Sequence, residues 1–117
     1  MGILNSMFGQ KKGVTNLDSQ SFRDQCNNDA DAVLLDVRTA GENAEARIPN
    51  SILIDIMSPT FKQEIEKLDK SKSYYVYCRS GNRSYHAGLM MGQMGFEKVY
   101  NLAGGIIEWN GEVQSDY

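Results

Sequence analysis

Hydrophobic positions along this chain follow two rhythms that trade places from the first strand to the last. Short β-prone runs alternate with stretches in which apolar side chains return every three or four positions. Residues 14–16 read as a weak first strand. Asp18 or Ser19 supplies an N-cap for a helix reaching about Cys26, with Phe22 and Cys26 one turn apart on one face, and Asn27-Asn28-Asp29 ends it. Residues 32–37 (Ala-Val-Leu-Leu-Asp-Val) form the near-continuous apolar run expected of a strand covered on both faces. A short strand over 51–54 follows. Ser58-Pro59 then reads as an N-cap and first helical residue, with Phe61, Ile65 and Leu68 as the apolar face. Residues 74–77 are a strand. Residues 84–94 are a helix with Ala87, Leu89, Met90, Met91 and Met94 turned inward and Gly95 as its C-cap. A last strand over 98–101 leads to a Gly104-Gly105 turn and a short helix carrying Ile106, Ile107 and Trp109. This alternation predicts an α/β domain around a mostly parallel five-stranded sheet.

The 117 residues divide into a leader at 1–12, one domain over 13–112 and a polar, frayed tail at 113–117. In the leader, Ile3, Leu4, Met7 and Phe8 line one side of a helical turn or two, and Met1-Gly2 with Ser6 formally matches an acylation pattern. The preferred reading is a mobile or loosely docked segment, since a signal peptide's charged start, apolar stretch and cleavage site are missing. A hydrophobic share of 41% with 23% charged residues is that of a folded globular chain. The net charge of −3 gives no broad basic field for nucleic acid, and every apolar run is too short to span a membrane. Two cysteines and one histidine are too few for a disulfide scaffold or a zinc site, so neither metal nor cofactor is expected. A missing signal and a reduced thiol together favour the cytoplasm. The sequence commits to no oligomeric state.

The chemistry concentrates in residues 74–84, Tyr-Tyr-Val-Tyr-Cys-Arg-Ser-Gly-Asn-Arg-Ser. A strand ends in Cys78, a polar loop with Arg79 and Arg83 follows, and a helix begins near Arg83. That order aims loop N–H groups and the positive end of a helix at one sulfur. A free thiol with a pKa of ~8.5 is only about 3% ionised at pH 7, so such surroundings would turn Cys78 from a dormant nucleophile into an active one. Two arginines on an otherwise acidic protein suit a small anion better than a polyanion.

Four segments in order resemble single-domain rhodaneses of the thiosulfate sulfurtransferase type, over about residues 13–110. They are Leu34-Leu35-Asp36-Val37-Arg38 with Glu42; Arg47-Ile48-Pro49; Tyr77-Cys78-Arg79-Ser80-Gly81-Asn82-Arg83-Ser84; and Leu102-Ala103-Gly104-Gly105-Ile106 with Trp109. The resemblance implies a three-layer α/β/α rhodanese-like fold and a sulfurtransferase. Cys78 would take the sulfane sulfur of a small anionic donor such as thiosulfate as a persulfide and pass it to cyanide, a thiol or a thioredoxin-like acceptor. Loop N–H groups from Arg79 to Ser84 would stabilise the anionic sulfur, and Arg79 or Arg83 would hold the donor. Ser80 and Ser84 offer hydroxyls, Gly81 a tight turn at positive φ, and Asn82 completes the loop. Asp36 and Arg38 would support the loop from a neighbouring strand end. Soft thiolate attack on soft sulfur needs no general base.

The chain departs from the family pattern at Ala46-Arg47-Ile48-Pro49-Asn50-Ser51, where Gly-His-Ile-Pro-Gly-Ala is common, and at Asn43, where an aromatic is common. Asn50 must then make the turn after Pro49, which its tolerance of left-handed φ allows, and Arg47 becomes a further cation to aim at the pocket. Other readings stand beside this one. A cysteine phosphatase or arsenate reductase has a Cys-x5-Arg loop, whereas Cys78 to Arg83 is Cys-x4-Arg, and no acid is evident to protonate a leaving oxygen. A non-catalytic rhodanese-like binding module is a third. His86 allows a Cys–His pair on paper, and Cys26 is core packing or else a resolving thiol.

Overall fold

The computed structural model describes residues 13–117; the leader reading falls outside the described residues. Five strands form one sheet: β1 Thr15–Leu17, β2 Ala32–Asp36, β3 Ile52–Leu53, β4 Ser73–Tyr77 and β5 Lys98–Leu102, in the order β1-β5-β4-β2-β3. Every pairing is parallel, so the sheet is all-parallel where the sequence promised only mostly so. Parallel strands need crossovers, and helices α1 Ser19–Asn27, α2 Ala40–Glu45, α3 Phe61–Glu66 and α4 Asn82–Gln93 supply them.

Alternation along β4 sorts the core into two layers. Tyr74, Val76 and Cys78 face α3 and α4, where Phe61, Ile65, Ala87 and Met91 cover them. Tyr75 and Tyr77 face the opposite side, against Phe22 of α1, Ile48 and Leu102. With both faces covered, all five β4 residues are buried. The register pairs Asp36 with Tyr77 and Val76 with Asn101, so the chain leaves β2, β4 and β5 at one edge of the sheet. Open α/β sheets place their binding sites beyond such carboxyl ends.

Helix boundaries show where local chemistry outweighs periodicity. α2 is too short to display an amphipathic period and was not expected, yet Thr39 and Glu42 form a full capping box at its start. α3 begins at Phe61 rather than at Pro59: the Ser58 hydroxyl accepts the Thr60 N–H at 3.2 Å and holds 58–60 as a turn. The final short helix is 3-10, Ile106–Glu108, with Trp109 just beyond it. Residues 113–117, expected to fray, are pinned instead. Arg47 and Gln114 exchange backbone hydrogen bonds at 2.8 Å each, and the Asp116 N–H donates to the Ala44 carbonyl. Polarity gave no hint of an antiparallel bridge to so distant a partner. No helix among the described residues is long and apolar enough to cross a membrane.

Candidate functional site

Cys78 follows β4 directly and is 1% exposed. Its Sγ accepts hydrogen bonds from the Gly81 N–H at 3.1 Å, the Ser84 N–H at 3.4 Å and the Ser84 hydroxyl at 3.3 Å. The loop therefore wraps round one sulfur atom and delivers it to the first turn of α4, whose dipole adds positive potential. Burial pushes the thiol pKa up, but the Ser84 hydroxyl and N–H, with the N–H groups of Gly81 and Ser80, outweigh it and leave the thiol more acidic than usual.

Two glycines let this loop exist. Gly81 adopts φ +99°, and a Cβ there would lie 2.0 Å from the Ala103 carbonyl oxygen. Gly105 adopts φ +70°, and its Cβ would lie 2.1 Å from the Arg79 carbonyl oxygen. The segment after β5 is thus pressed against the cysteine loop, and the Ile106 and Ile107 N–H groups donate to the carbonyls of Cys78 and Arg79. The Gly-Gly-Ile stretch serves as a strut that braces the loop through the Cys78 and Arg79 carbonyls.

The two arginines part company. Arg83 makes a bidentate pair with Glu42, each N–O distance 2.9 Å, and Glu42 also accepts from the Thr39 N–H and hydroxyl. Arg83 hydrogen bonding, followed by the Thr39 contacts, overcomes burial and pulls the Glu42 carboxyl down to about 2. Arg83 therefore clamps α4 to α2. Arg79 is exposed, and its side chain makes no hydrogen bond or ion pair among the described residues. Ser80 and Asn82 are exposed on the loop's outer side, while Ser84 is fully buried under the sulfur.

Asp36 and Arg38 lie one layer away, on the Tyr77 side of the sheet. They form a buried, bidentate ion pair at 2.9 and 2.8 Å, and Arg38 also reaches the Ala46 carbonyl at 2.6 Å. Asn43, which stands where the family often has an aromatic, donates to Asp36 at 2.9 Å, and the Tyr77 hydroxyl donates to it at 3.2 Å. The network ties 36–48 together, and among the described residues none of its side chains hydrogen-bonds to Cys78. Asn50 takes φ +71°, the left-handed turn expected after Pro49.

The remaining candidates lie away from the sulfur. Arg47 does not aim at the sulfur: it pairs with Asp116 at 2.9 Å and donates to the Asn43 carbonyl, holding the tail. His86 is exposed against Tyr85 and makes no hydrogen bond to Cys78. Cys26 packs in the opposite core layer, so the sheet separates the two thiols. It lines a cavity of about 740 Å³ with Phe22, Ile48 and Trp109, remote from the sulfur cradle. Asn101 is the residue that sequence reasoning missed. It is 2% exposed, and its amide reaches both Ser84 and Gly81. The available signal was an asparagine between the apolar Val99 and Leu102 of its strand. Among the described residues no group of acidic, histidine or cysteine side chains is placed to hold a metal.

Relatives share this architecture. Residues 18–112 match the family described as the Rhodanese-like domain. A protein named sulfurtransferase from Allochromatium vinosum is 37% identical over 97 residues, spanning 82% of this chain and 88% of its own. The crystal structure of a rhodanese-like domain protein from Staphylococcus aureus aligns with a TM-score of 0.75 at 25% identity, over 88% of this chain and 99% of that one. A rhodanese-related protein from Thermoplasma volcanium aligns at 0.74 with 28% identity, over 86% and 97%. Sequence and fold converge on one conclusion: this chain belongs to the rhodanese-like domain family.

Proposed function

We propose that this protein is a sulfurtransferase in which Cys78 carries the transferred sulfur. The observation that carries this reading is the convergence of three donors on Cys78 Sγ. Such a cradle stabilises one anionic sulfur. The thiolate attacks the outer sulfur of a thiosulfate-like donor. The new S–S bond forms as the bond to the sulfonyl sulfur breaks, and sulfite departs with that electron pair. Negative charge returns as the terminal sulfur of the Cys78 persulfide, where the loop N–H groups hold it. A thiophilic acceptor then attacks that terminal sulfur, leaving as thiocyanate from cyanide or as a persulfide from a thiol, and the Cys78 thiolate is regenerated.

Arg79 is the group we assign to the anionic donor: Arg83 is committed to Glu42, and the exposed Arg79 side chain has no partner among the described residues. A phosphatase reading loses its central residue by the same contact. The arginine that would grip a phosphoryl group is paired with Glu42, and the sixth position after the cysteine is Ser84, under the sulfur. The name borne by the Allochromatium vinosum relative supports sulfur transfer in general.

Incubation with thiosulfate followed by intact-mass measurement tests the reading. The expected result is a gain of one sulfur atom, reversed by cyanide or a thiol and absent in Cys78→Ser. Absence of an adduct together with turnover of an aryl phosphate would overturn it.

A further inference from the structure

The Ser84 hydroxyl has one proton and two neighbours that want it. Its Oγ lies 3.3 Å from Cys78 Sγ and 2.5 Å from Asn101 Oδ1. The amide of Asn101 is not free to turn round. Its Nδ2 donates to the Gly81 carbonyl at 3.1 Å and to Asn16 Oδ1 at 2.9 Å, and a backbone carbonyl can only accept. With the NH2 group committed there, the amide oxygen must face Ser84. No buried side-chain polar atom among the described residues lacks a partner, so the arrangement is fully satisfied as it stands.

We propose that Asn101 is a positioning residue of this site, the alternative acceptor that holds the Ser84 hydroxyl proton when Cys78 is uncharged and yields it when the sulfur is anionic. The idea rests on the reading of Cys78 as a thiolate nucleophile. In the neutral state the thiol S–H points to Ser84 Oγ, and Ser84 donates to Asn101. Once the thiol proton has gone to solvent, the hydroxyl rotates and donates to the thiolate. When Cys78 becomes a persulfide, Sγ is bonded to two atoms and the charge sits on the outer sulfur, so the hydroxyl returns to Asn101. No covalent bond changes in this movement. Its effect is to make one hydrogen bond follow the charge through the cycle rather than favour the thiolate permanently, which would hinder its attack on the donor. The same amide fixes the Gly81 carbonyl and so links β1 through β5 to the cysteine loop.

The charged groups near Cys78 are Arg83 of α4, with Glu42 of α2 and Asp55 after β3 beside it, and Arg79, the next residue of the loop. None is altered by the test. In a Cys26→Ser background, the pH dependence of Cys78 alkylation by iodoacetamide reports its thiol pKa. Ser84→Ala should raise that pKa by about one unit, the loss of one hydrogen bond to a charged group. Asn101→Leu removes the rival acceptor, so it should lower the pKa by about half a unit with Ser84 present and leave it unmoved in Ser84→Ala. Asn101→Asp offers a stronger acceptor and should raise it, by more with Ser84 present than in the Ser84→Ala background.

A rise in Asn101→Leu, or equal shifts with and without the hydroxyl, would mean that Asn101 only shapes the loop and would overturn the proposal. Leu and Asp both forfeit the bond to the Gly81 carbonyl, so that loss cancels when they are compared. If Asn101→Leu does not fold, the Asp pair decides alone, and equal shifts there overturn the idea. No sulfur donor enters the measurement, so a failure of the sulfurtransferase reading would be told apart from a failure of this one.

Discussion

The two cysteines form a natural comparison, because one sheet separates two thiols of identical chemistry. Cys26 is carried on α1, half-buried against Phe22 and Tyr75, and burial followed by the Asp29 carboxylate pushes its pKa up. Cys78 is the more deeply buried of the two, yet its pKa is pushed down. Burial alone therefore has the wrong sign to explain the lowered pKa. What separates the thiols is the number of donors aimed at the sulfur: three within 3.4 Å of Cys78. Such donors require a loop that closes on itself, and a loop that closes so tightly requires a position without a Cβ. In this protein, the acidity of the Cys78 thiol follows from the backbone path after β4.

The largest effect expected is the one that would erase this difference at a stroke. Cys78→Ser should abolish thiosulfate loading and cyanide turnover, down to the rate in buffer, while Cys26→Ser should load fully. Sulfur on Cys26 in the intact protein, located by peptide mass mapping, would break the comparison. A second disruption leaves both thiols in place and removes only the path. Gly81→Ala places a Cβ against the Ala103 carbonyl at φ +99°. We expect a cost on the order of 2–4 kcal/mol, a Tm lower by roughly 10 °C, and a Cys78 thiol that alkylates at neutral pH as slowly as Cys26. Unchanged alkylation would show that the Gly81 N–H contributes little.

A smaller effect concerns charge rather than backbone. Arg79→Ala should raise the KM for thiosulfate about fivefold, the order of one charge–charge contact across water, and leave Cys78 alkylation by neutral iodoacetamide unaltered. Arg83→Ala should instead lower Tm through loss of its Glu42 clamp. If the two variants exchanged these phenotypes, the division of labour between the arginines would be reversed.

How much of the fold and the site is legible in the sequence follows the same line. β4, buried throughout, and β2, partly buried at its start, declare themselves as apolar runs, and the loop from Cys78 to Ser84 declares its chemistry by residue type and spacing. The pairing choices do not. Arg83 and Arg79 look alike in sequence, and only the capping box at Thr39, which delivers Glu42 to Arg83, tells them apart. That box is itself visible as Thr-x-x-Glu, but α2 is too short for a periodic signal to draw attention to it. Arg47 misleads for a related reason. Its partner Asp116 lies far along the chain, so charge near the motif reads as charge in the site. Asn101 is hidden because a strand pattern weighs apolar residues and treats one buried amide as noise.

The Arg83–Glu42 pair also predicts the smallest and most specific effect, a pH dependence that touches the Cys78 side of the molecule and spares the Cys26 side. Glu42 titrates at about 2 in the folded protein, against 4.5 for an ordinary glutamate. A carboxyl whose folded pKa is depressed lends stability above its unfolded pKa and loses it as pH falls, so the loss should run from about 4.5 down to about 2. The pair is partly open to solvent, which holds the contribution to about 1 kcal/mol or less. In a series of Tm measurements, the gap between wild type and Glu42→Gln should therefore be widest above pH 5 and narrow on acidification through that window. Subtracting the two curves removes the other carboxylates, including Asp29 on the Cys26 side, whose pKa is also lowered. A gap that stays constant with pH would mean that Glu42 acts through its capping of α2 alone, and that Arg83 is free to turn towards the donor.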